Sequence, residues 1–140
     1  MKVRDVMHKG AVSVKGSDSL KSVAKKMRRR DIGAIPVKKK GRLVGMITDR
    51  DLVCRVLAKG GNTKKLTAGD VMTEKAISCR ADDNIEAAVR TMETKKIRRL
   101  PVLDSSRKLV GMVSLGDISH RNGATATTEL LRAVTKHHVR

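Results

Sequence analysis

The chain of 140 residues has no aromatic residue and few acidic residues, prolines and cysteines. Without Phe, Tyr or Trp, it lacks the stacking platforms on which most readers of single-stranded nucleic acid hold bases. Two cysteines are too few for a disulfide framework, so we expect both thiols to be reduced in a cytoplasmic protein. There is no run of about 18 apolar residues to cross a membrane. The N-terminal residues lack the apolar core of a secretory signal, so we expect none.

Positive charge is abundant and unevenly distributed. Lys and Arg number 32 against 14 Asp and Glu, for a net charge of +18. Residues 1–65 hold 19 basic and 5 acidic residues, net +14, whereas residues 66–140 hold 13 and 9, net +4. Basic runs at 25–30 and 38–42 would attract phosphates, nucleic acid or an acidic protein. A solvated face that keeps the protein soluble explains either run equally well.

The two halves of the sequence share one repeated pattern, at an offset of 65 residues that becomes 66 after one inserted residue. A repeat of this kind indicates two copies of one structural unit. A single copy is too small to cover both faces of a three-stranded sheet, which two copies can do together. Six blocks recur in register: 5–7 at 70–72, 11–14 at 76–79, 20–27 at 85–92, 32–37 at 97–102, 43–48 at 109–114, and Asp51 at Asp117.

Each copy is predicted to run strand, helix, strand, strand, helix, which makes the fold α/β in content, of the α+β kind. In the first copy the predicted elements are a strand at Ala11–Val14, a helix at Leu20–Met27, an extended segment after Gly33, a strand at Arg42–Ile47 and a closing helix from Leu52. The predicted domains are repeat 1 (1–61), repeat 2 (62–123) and a C-terminal helical tail (124–140).

Helix boundaries are predicted from capping residues. Ser17 or Asp18 can cap the first helix, and the spacing of Asp83 and Glu86 resembles a capping box for its counterpart. The segment Gly33–Pro36 is expected to end the first helix.

No enzyme signature occurs: there is no Gly-rich dinucleotide fingerprint, no Walker loop and no Gly-x-Ser-x-Gly. None of the four histidines stands at a metal-ligand spacing, and the pair His137 and His138 would bind a metal only adventitiously. Cys54 is expected to be a buried structural thiol. We therefore predict no catalysis, no metal site and no required cofactor.

The segments Gly45–Asp51 and Gly111–Asp117 repeat with their polar residues fixed, and two interpretations compete. In one, Thr48 and Ser114 cap helices, and the Asp three residues later closes a capping box. In the other, the hydroxyl and free N–H groups at a helix N-terminus receive phosphate oxygens, and the Asp accepts ribose hydroxyls. Because the segment is doubled and each copy has a glycine that permits close approach, we favour the ligand site.

These motifs in this order resemble the CBS domain, named for cystathionine β-synthase. The resemblance covers about residues 3–123 as a tandem pair, because the Pro-Val strand and the Gly-x-x-Thr/Ser-x-x-Asp segment both occur twice. It implies β-α-β-β-α repeats related by pseudo-two-fold symmetry, in a stand-alone pair with no attached enzyme, channel or transporter. It also implies a homodimer.

The resemblance further implies two clefts that bind AMP, ADP, ATP or S-adenosylmethionine. Asp51 and Asp117 would hold ribose, and backbone groups near Val12 and Ile77 would read the adenine edge. One cleft would use Val12, Ser13, Ile32, Gly33, Ala34, Ser114 and Asp117, and the other Ile77, Ser78, Ile97, Arg98, Arg99, Thr48, Arg50 and Asp51.

The leading hypothesis is a cytoplasmic regulatory module that senses adenine nucleotides and signals to an unknown effector protein. The arginines at 50, 98 and 99 predict that the second cleft prefers the more phosphorylated ligand. The alternative is a nucleic-acid- or acidic-partner-binding scaffold that uses the +14 N-terminal half. A third reading is a folded pair whose clefts are only structural.

Overall fold

The computed structural model describes residues 1–122, which form two compact units. The first unit is Val12–Ala76, and the second is Met1–Ala11 together with the chain from Ile77 onward. Each unit combines one four-stranded sheet with helices, which confirms the predicted mixed α/β fold built twice. The tail predicted as a helix, 124–140, lies outside the described residues.

The elements of both units follow the repeat closely. In chain order they are a 3-10 turn (Val3–Asp5), β1 (His8–Lys9), β2 (Val14–Lys15), α1 (Leu20–Arg30), β3 (Ala34–Lys39), β4 (Arg42–Thr48), α2 (Asp49–Asp51), a π-helix (Leu52–Leu57), α3 (Ala68–Val71), β5 (Thr73–Glu74), β6 (Cys79–Arg80), α4 (Ile85–Lys95), β7 (Arg99–Leu103), β8 (Leu109–Ser114) and α5 (Leu115–Asn122).

The two sheets have the same topology. The first unit has the strand order β2-β3-β4-β5, and the second has β6-β7-β8-β1. In each sheet the first pair is parallel and the other two pairs are antiparallel. The hairpins β3–β4 and β7–β8 confirm the strand-strand part of the predicted repeat. The predicted strand Ala11–Val14 is wrong except for its last residue, because β2 pairs only at Val14 and Lys15.

Two short edge strands, β5 and β1, were not predicted. Each follows an Asp-Val-Met block, and β1 carries residues from the start of the chain into the sheet of the second repeat. The units therefore divide the chain after Ala11 and after Ala76, whereas the predicted boundaries 1–61 and 62–123 describe the sequence repeats and stay a prediction.

The caps predicted for the helices α1 and α4 are wrong. The N-cap of α1 is Ser19, whose Oγ accepts from the Ser22 N–H at 3.1 Å. Asp18 instead accepts from the Lys15 N–H at 2.9 Å, because the tight turn before the helix claims its carboxylate. The helix ends at Arg30, before the predicted stop at Gly33–Pro36, and Asp31 takes the left-handed conformation (φ 52°).

The α4 helix repeats the pattern of α1. Its N-cap is Asn84, and Asp83 accepts from the Arg80 N–H at 2.8 Å, so Asp83 and Glu86 form no capping box. Lys96 ends the helix in the left-handed conformation (φ 55°).

Each unit has its own apolar core. Leu20, Val23 and Met27 of the predicted first helix are buried, whereas Ala24 of the same apolar stripe is exposed. Full burial of an apolar side chain of this size stabilises the fold by about 1.5–3 kcal/mol. The first core contains Val14, Leu20, Val23, Met27, Ile35, Val37, Ile47, Val56, Ala68 and Val71. The second contains Val3, Val6, Cys79, Ile85, Ala88, Met92, Leu100, Val102, Val113, Leu115 and Ile118.

The predicted closing helix of the first repeat is a short α2 that continues as a π-helix. The π-helix buries Val56 but leaves Cys54 exposed, so the expectation of a buried thiol there is wrong. Over residues 1–122, none of the helices is long and apolar enough to span a membrane.

Candidate functional site

The repeated polar residues form two junctions between a strand and a helix. The first junction is Thr48–Asp51, after β4, and the second is Ser114–Asp117, after β8. The Thr48 N–H donates to Asp51 Oδ2 at 2.9 Å, and the Asp51 N–H donates to Thr48 Oγ1 at 3.1 Å. In the second junction the same two bonds measure 2.7 and 3.1 Å. Both junctions are therefore capping boxes, as the first of the two interpretations predicted.

The N–H groups at the start of α2 are already used. The Asp49 N–H donates to the Gly33 carbonyl at 2.9 Å, and the Arg50 N–H donates to Asp49 Oδ1 at 2.8 Å. The Asp51 N–H is held by Thr48, so the expectation of free N–H groups for a phosphate is wrong at this junction. The N-terminus of α2 is satisfied because the capping box, the Gly33 carbonyl and the Asp49 side chain supply its acceptors.

The glycines before the junctions serve a different purpose from the predicted one. A Cβ on Gly45 would lie 2.5 Å from Met72 Sδ and 2.7 Å from the Thr73 carbonyl oxygen. A Cβ on Gly111 would lie 2.5 Å from the His8 carbonyl oxygen. These glycines admit the edge strands β5 and β1, so the expectation that they open the site to a ligand is wrong.

The second oxygen of each junction carboxylate contacts a nitrogen of a basic side chain. Asp51 Oδ1 lies 3.4 Å from Arg55 Nε, and Asp117 Oδ1 lies 2.8 Å from His8 Nε2. Both carboxyl side chains are 14% exposed, which leaves a narrow accessible edge. Sequence reasoning missed both partners. Arg55 could have been found from its i,i+4 spacing, whereas no local spacing signals the contact of His8.

The strand-entry residues Ile32, Gly33 and Ala34 lie beside the first junction. Ala34 pairs with Thr48, and a Cβ on Gly33 would lie 2.8 Å from Asp49 Oδ2. Ile32 is partly buried against the first core. The structure thus brings these three residues together with Thr48 and Asp51 within one unit.

The second unit repeats this arrangement. Arg99 pairs with Ser114, the Arg98 carbonyl accepts from the Leu115 N–H at 2.8 Å, and Ile97 is partly buried against the second core. The side chains of Arg98 and Arg99 are exposed, as is that of Arg50 in the first unit. The predicted clefts combine the strand entry of one unit with the junction of the other, and that combination stays a prediction.

The residues expected to read adenine lie where the chain passes between the units. Val12, Ser13 and Ser78 are half-buried, and Ile77 is 38% exposed. The Ser13 carbonyl already accepts from Lys26 Nζ at 2.9 Å, so one of its lone pairs is committed.

The remaining reactive groups do not point to catalysis. Burial, with a smaller effect of Asp83, raises the pKa of the Cys79 thiol to about 12, which disfavours the reactive thiolate. Among residues 1–122, no three His, Cys, Asp or Glu side chains are grouped so that they could hold a metal ion. His137 and His138 lie outside the described residues.

Comparison with known proteins agrees with this arrangement. A family model described as the CBS domain matches residues 3–58 and 68–122. Hypoxic response protein 1 of Mycobacterium tuberculosis is 35% identical over 132 residues, which cover 94% of this chain and 92% of that protein. An uncharacterized protein of Methanopyrus kandleri is also 35% identical, over 83% of this chain, but this chain spans only 60% of its length.

Solved structures agree as well. A crystal structure of Hypoxic Response Protein I with two coordinated zinc ions has a TM-score of 0.81 at 35% identity, covering 88% of this chain and all of that chain. CBSX2 in complex with AMP has a TM-score of 0.74 at 28% identity, covering 85% and 93%. The CBS domain pair of protein MJ0100 in complex with 5'-methylthioadenosine and S-adenosyl-L-methionine has a TM-score of 0.74 at 29% identity, covering 86% and 94%. The two matched segments therefore identify this chain as a member of the CBS domain family, with two CBS repeats in tandem.

Proposed function

We propose that this CBS domain pair is a regulatory module that binds an adenosine-type ligand (AMP, ADP, ATP or S-adenosylmethionine) through the two predicted residue sets. The observation that carries the proposal is its likeness to two CBS structures whose ligands are AMP in one and 5'-methylthioadenosine with S-adenosylmethionine in the other. Adenosine is the chemical group that these ligands share.

The chemistry of the junctions supports this ligand class. Vicinal ribose hydroxyls are donors, and a carboxylate that keeps an exposed edge can accept from them in charge-assisted bonds. Asp51 and Asp117 have such an edge, since each carboxyl side chain is 14% exposed and the cap holds only its Oδ2. Exposed Arg50, Arg98 and Arg99 offer cations to phosphates. The aliphatic Ile32 and Ile97 would contact the base, because the chain has no aromatic residue to stack on it.

The wider role is non-catalytic and cytoplasmic. Ligand binding would shift the equilibrium between conformations, or the geometry of a homodimer, and thereby change contact with an effector protein. Both cysteines are free thiols, in keeping with a reducing compartment. The alternative role as a nucleic-acid- or acidic-partner-binding scaffold finds no support in the relatives named above.

Calorimetric titration with AMP, ATP and S-adenosylmethionine tests the proposal. Asp51→Asn and Asp117→Asn each keep an oxygen for the cap but remove the charge, and we expect each to weaken binding at its own site about tenfold. The matched control is Asp70→Asn, because Asp70 closes a similar capping box with Thr67 (2.8 Å) outside the predicted residue sets. Absence of binding for all three ligands, or an equal loss in the control, would contradict the proposal.

A further inference from the structure

We infer that a lysine groove in the first unit is a second binding site, for a compact anion that carries several phosphates. The groove lies at the hairpin end of β3 and β4 and has a volume of about 670 Å³. Small-molecule sites typically measure about 300–1,000 Å³, so the groove has the size of a ligand site. The lining residues that matter are Lys15, Lys38, Lys39, Lys40, Gly16 and Gly69.

The charge of the groove is uncompensated. None of its lining residues is acidic. In the described part of the chain, no carboxylate lies within 4.0 Å of any of the four lysine amines. Like charges gathered around a concave surface raise the local concentration of anions.

Two of these lysines lie side by side on neighbouring strands, where the repulsion between like charges is unfavourable. Lys15 and Lys38 are in register on the neighbouring strands β2 and β3. Like charges directly opposite each other in a sheet are destabilising. A bound anion would remove this repulsion, and a local conflict of this kind is typical of a functional position.

Two glycines contribute backbone to the lining of the groove, which also includes Val44 and Met72. The Gly69 N–H donates to the Gly16 carbonyl at 2.8 Å, and a Cβ on Gly69 would lie 3.1 Å from that oxygen. With no side chain at either position, the two backbone segments approach each other closely at this part of the groove.

The second unit shows that the fold does not require these cations. Its equivalent of the Lys15–Lys38 pair is Arg80 with Leu103, which are also in register. Arg4 stands in place of Gly69 and pairs with Asp82 at 2.8 Å. Asp104 replaces Lys39, and its carboxylate accepts from two backbone N–H groups. The same scaffold therefore exists with its charges balanced, and the lysine cluster is a property of the first unit alone.

The phosphates, and not a base, are the recognised feature. The chain has no aromatic side chain to stack a base, so a nucleic acid would gain nothing beyond its backbone charge. The groove is also distant from the predicted adenosine-binding residues at the other end of β3, since Ala34, which pairs with Thr48, and Lys39 stand at opposite ends of that strand, about 17 Å apart at strand geometry. An oligophosphate chain, free or as the triphosphate of a nucleotide, matches four close cations in a small groove.

Titration of the full chain with inorganic tripolyphosphate, at about 0.15 M salt to suppress diffuse attraction, tests the inference. The groove variant is Lys39→Asp with Lys40→Ser, which copies Asp104 and Ser105 of the second unit. The control is Lys25→Asp with Arg29→Ser on the exposed face of α1, which changes the net charge equally. We expect affinity to fall about tenfold or more in the groove variant and less than about twofold in the control.

Amide chemical shifts locate the site without relying on a variant. Tripolyphosphate should perturb Gly16, Gly41 and Gly69, and AMP should not; perturbation by ATP as well would assign the triphosphate of a nucleotide as one source. If the groove variant unfolds, Lys15→Thr on the exposed side of β2 replaces it. Equal loss in both variants, no binding, shifts confined to other residues, or tighter binding of a single-stranded oligonucleotide than of tripolyphosphate would overturn the inference.

Discussion

The carboxylate of Asp117 lies 2.8 Å from the ring of His8, a residue 109 positions earlier in the chain. The contact exists because β1 pairs with β8 and sets His8 opposite Met112. The equivalent carboxylate, Asp51, meets Arg55 on its own helical segment at 3.4 Å. Two carboxylates in matching capping boxes therefore contact different basic side chains, one brought close by the pairing of β1 with β8 and the other by its spacing in the sequence.

The first prediction is that Arg55 and His8 differ in their effect on stability. The Arg55 guanidinium also donates to the Val71 carbonyl at 2.9 Å and to Thr73 Oγ1, so it ties the π-helix to the segment that leads into β5. Arg55→Ala should lower the free energy of unfolding by about 1–2 kcal/mol, with little of it from the partly exposed ion pair. His8→Ala should cost less than about 0.5 kcal/mol, because the His8 side chain is 80% exposed.

Urea unfolding measures both values, with Arg50→Ala as the control for loss of an exposed cation. A cost for His8→Ala as large as that for Arg55→Ala would show that the long-range contact is the stronger of the two.

The second prediction concerns the glycines that admit the edge strands. A Cβ on Gly111 would meet the His8 carbonyl at 2.5 Å and Met7 Sδ at 2.9 Å, so β1 must move away. Gly111→Ala should cost about 1–3 kcal/mol or more. Gly33→Ala should cost less than about 1 kcal/mol, since the added Cβ meets only the exposed end of the Asp49 side chain.

Hydrogen exchange localises the effect. The Gly10 N–H donates to the Val110 carbonyl at 3.1 Å, so this amide should lose protection in Gly111→Ala and keep it in Gly33→Ala. Equal protection in the two variants would contradict the role assigned to Gly111.

Much of the fold is predictable because its signals are local. The stripe of Leu20, Val23 and Met27 has helical spacing, and all three residues are buried in α1. The edge strands were missed because a two-residue strand is too short to show periodicity. Only the interior glycines signalled them, and a glycine in a strand is equally consistent with a ligand or with another backbone.

The candidate site likewise has features that follow from local sequence and features that depend on the whole fold. Both capping boxes were one of the two interpretations drawn from the sequence, because residues three apart in sequence meet at the start of a helix. The cap of α1 was not, because Ser17, Asp18 and Ser19 all have capping side chains and the turn before the helix selects among them. His8 could not be inferred from spacing, since its contact with Asp117 depends on which strand β1 joins.

The third prediction concerns the two thiols. Burial in the second core raises the pKa of Cys79 to about 12, whereas Cys54 is exposed. A thiol reagent at about pH 8 should modify Cys54 readily and Cys79 only after unfolding, because the thiolate is the reacting form. The Cys54→Ser variant leaves one thiol, so its rate of modification reports Cys79 directly. Rapid modification of that variant in the folded state would refute the burial argument.

The same shift in pKa makes stability depend on alkaline pH. The folded state holds the Cys79 proton up to about pH 12, whereas the unfolded chain releases it near 9.0. Between these values the unfolded state binds fewer protons, so the free energy of unfolding falls as pH rises. Below pH 9 this effect is absent, because both states are protonated. Cys79→Val should remove this part of the alkaline loss. The unfolding free energy of the wild type should therefore fall relative to that of the variant from pH 9 towards 11. A constant difference across that range would show that the thiol does not titrate on unfolding.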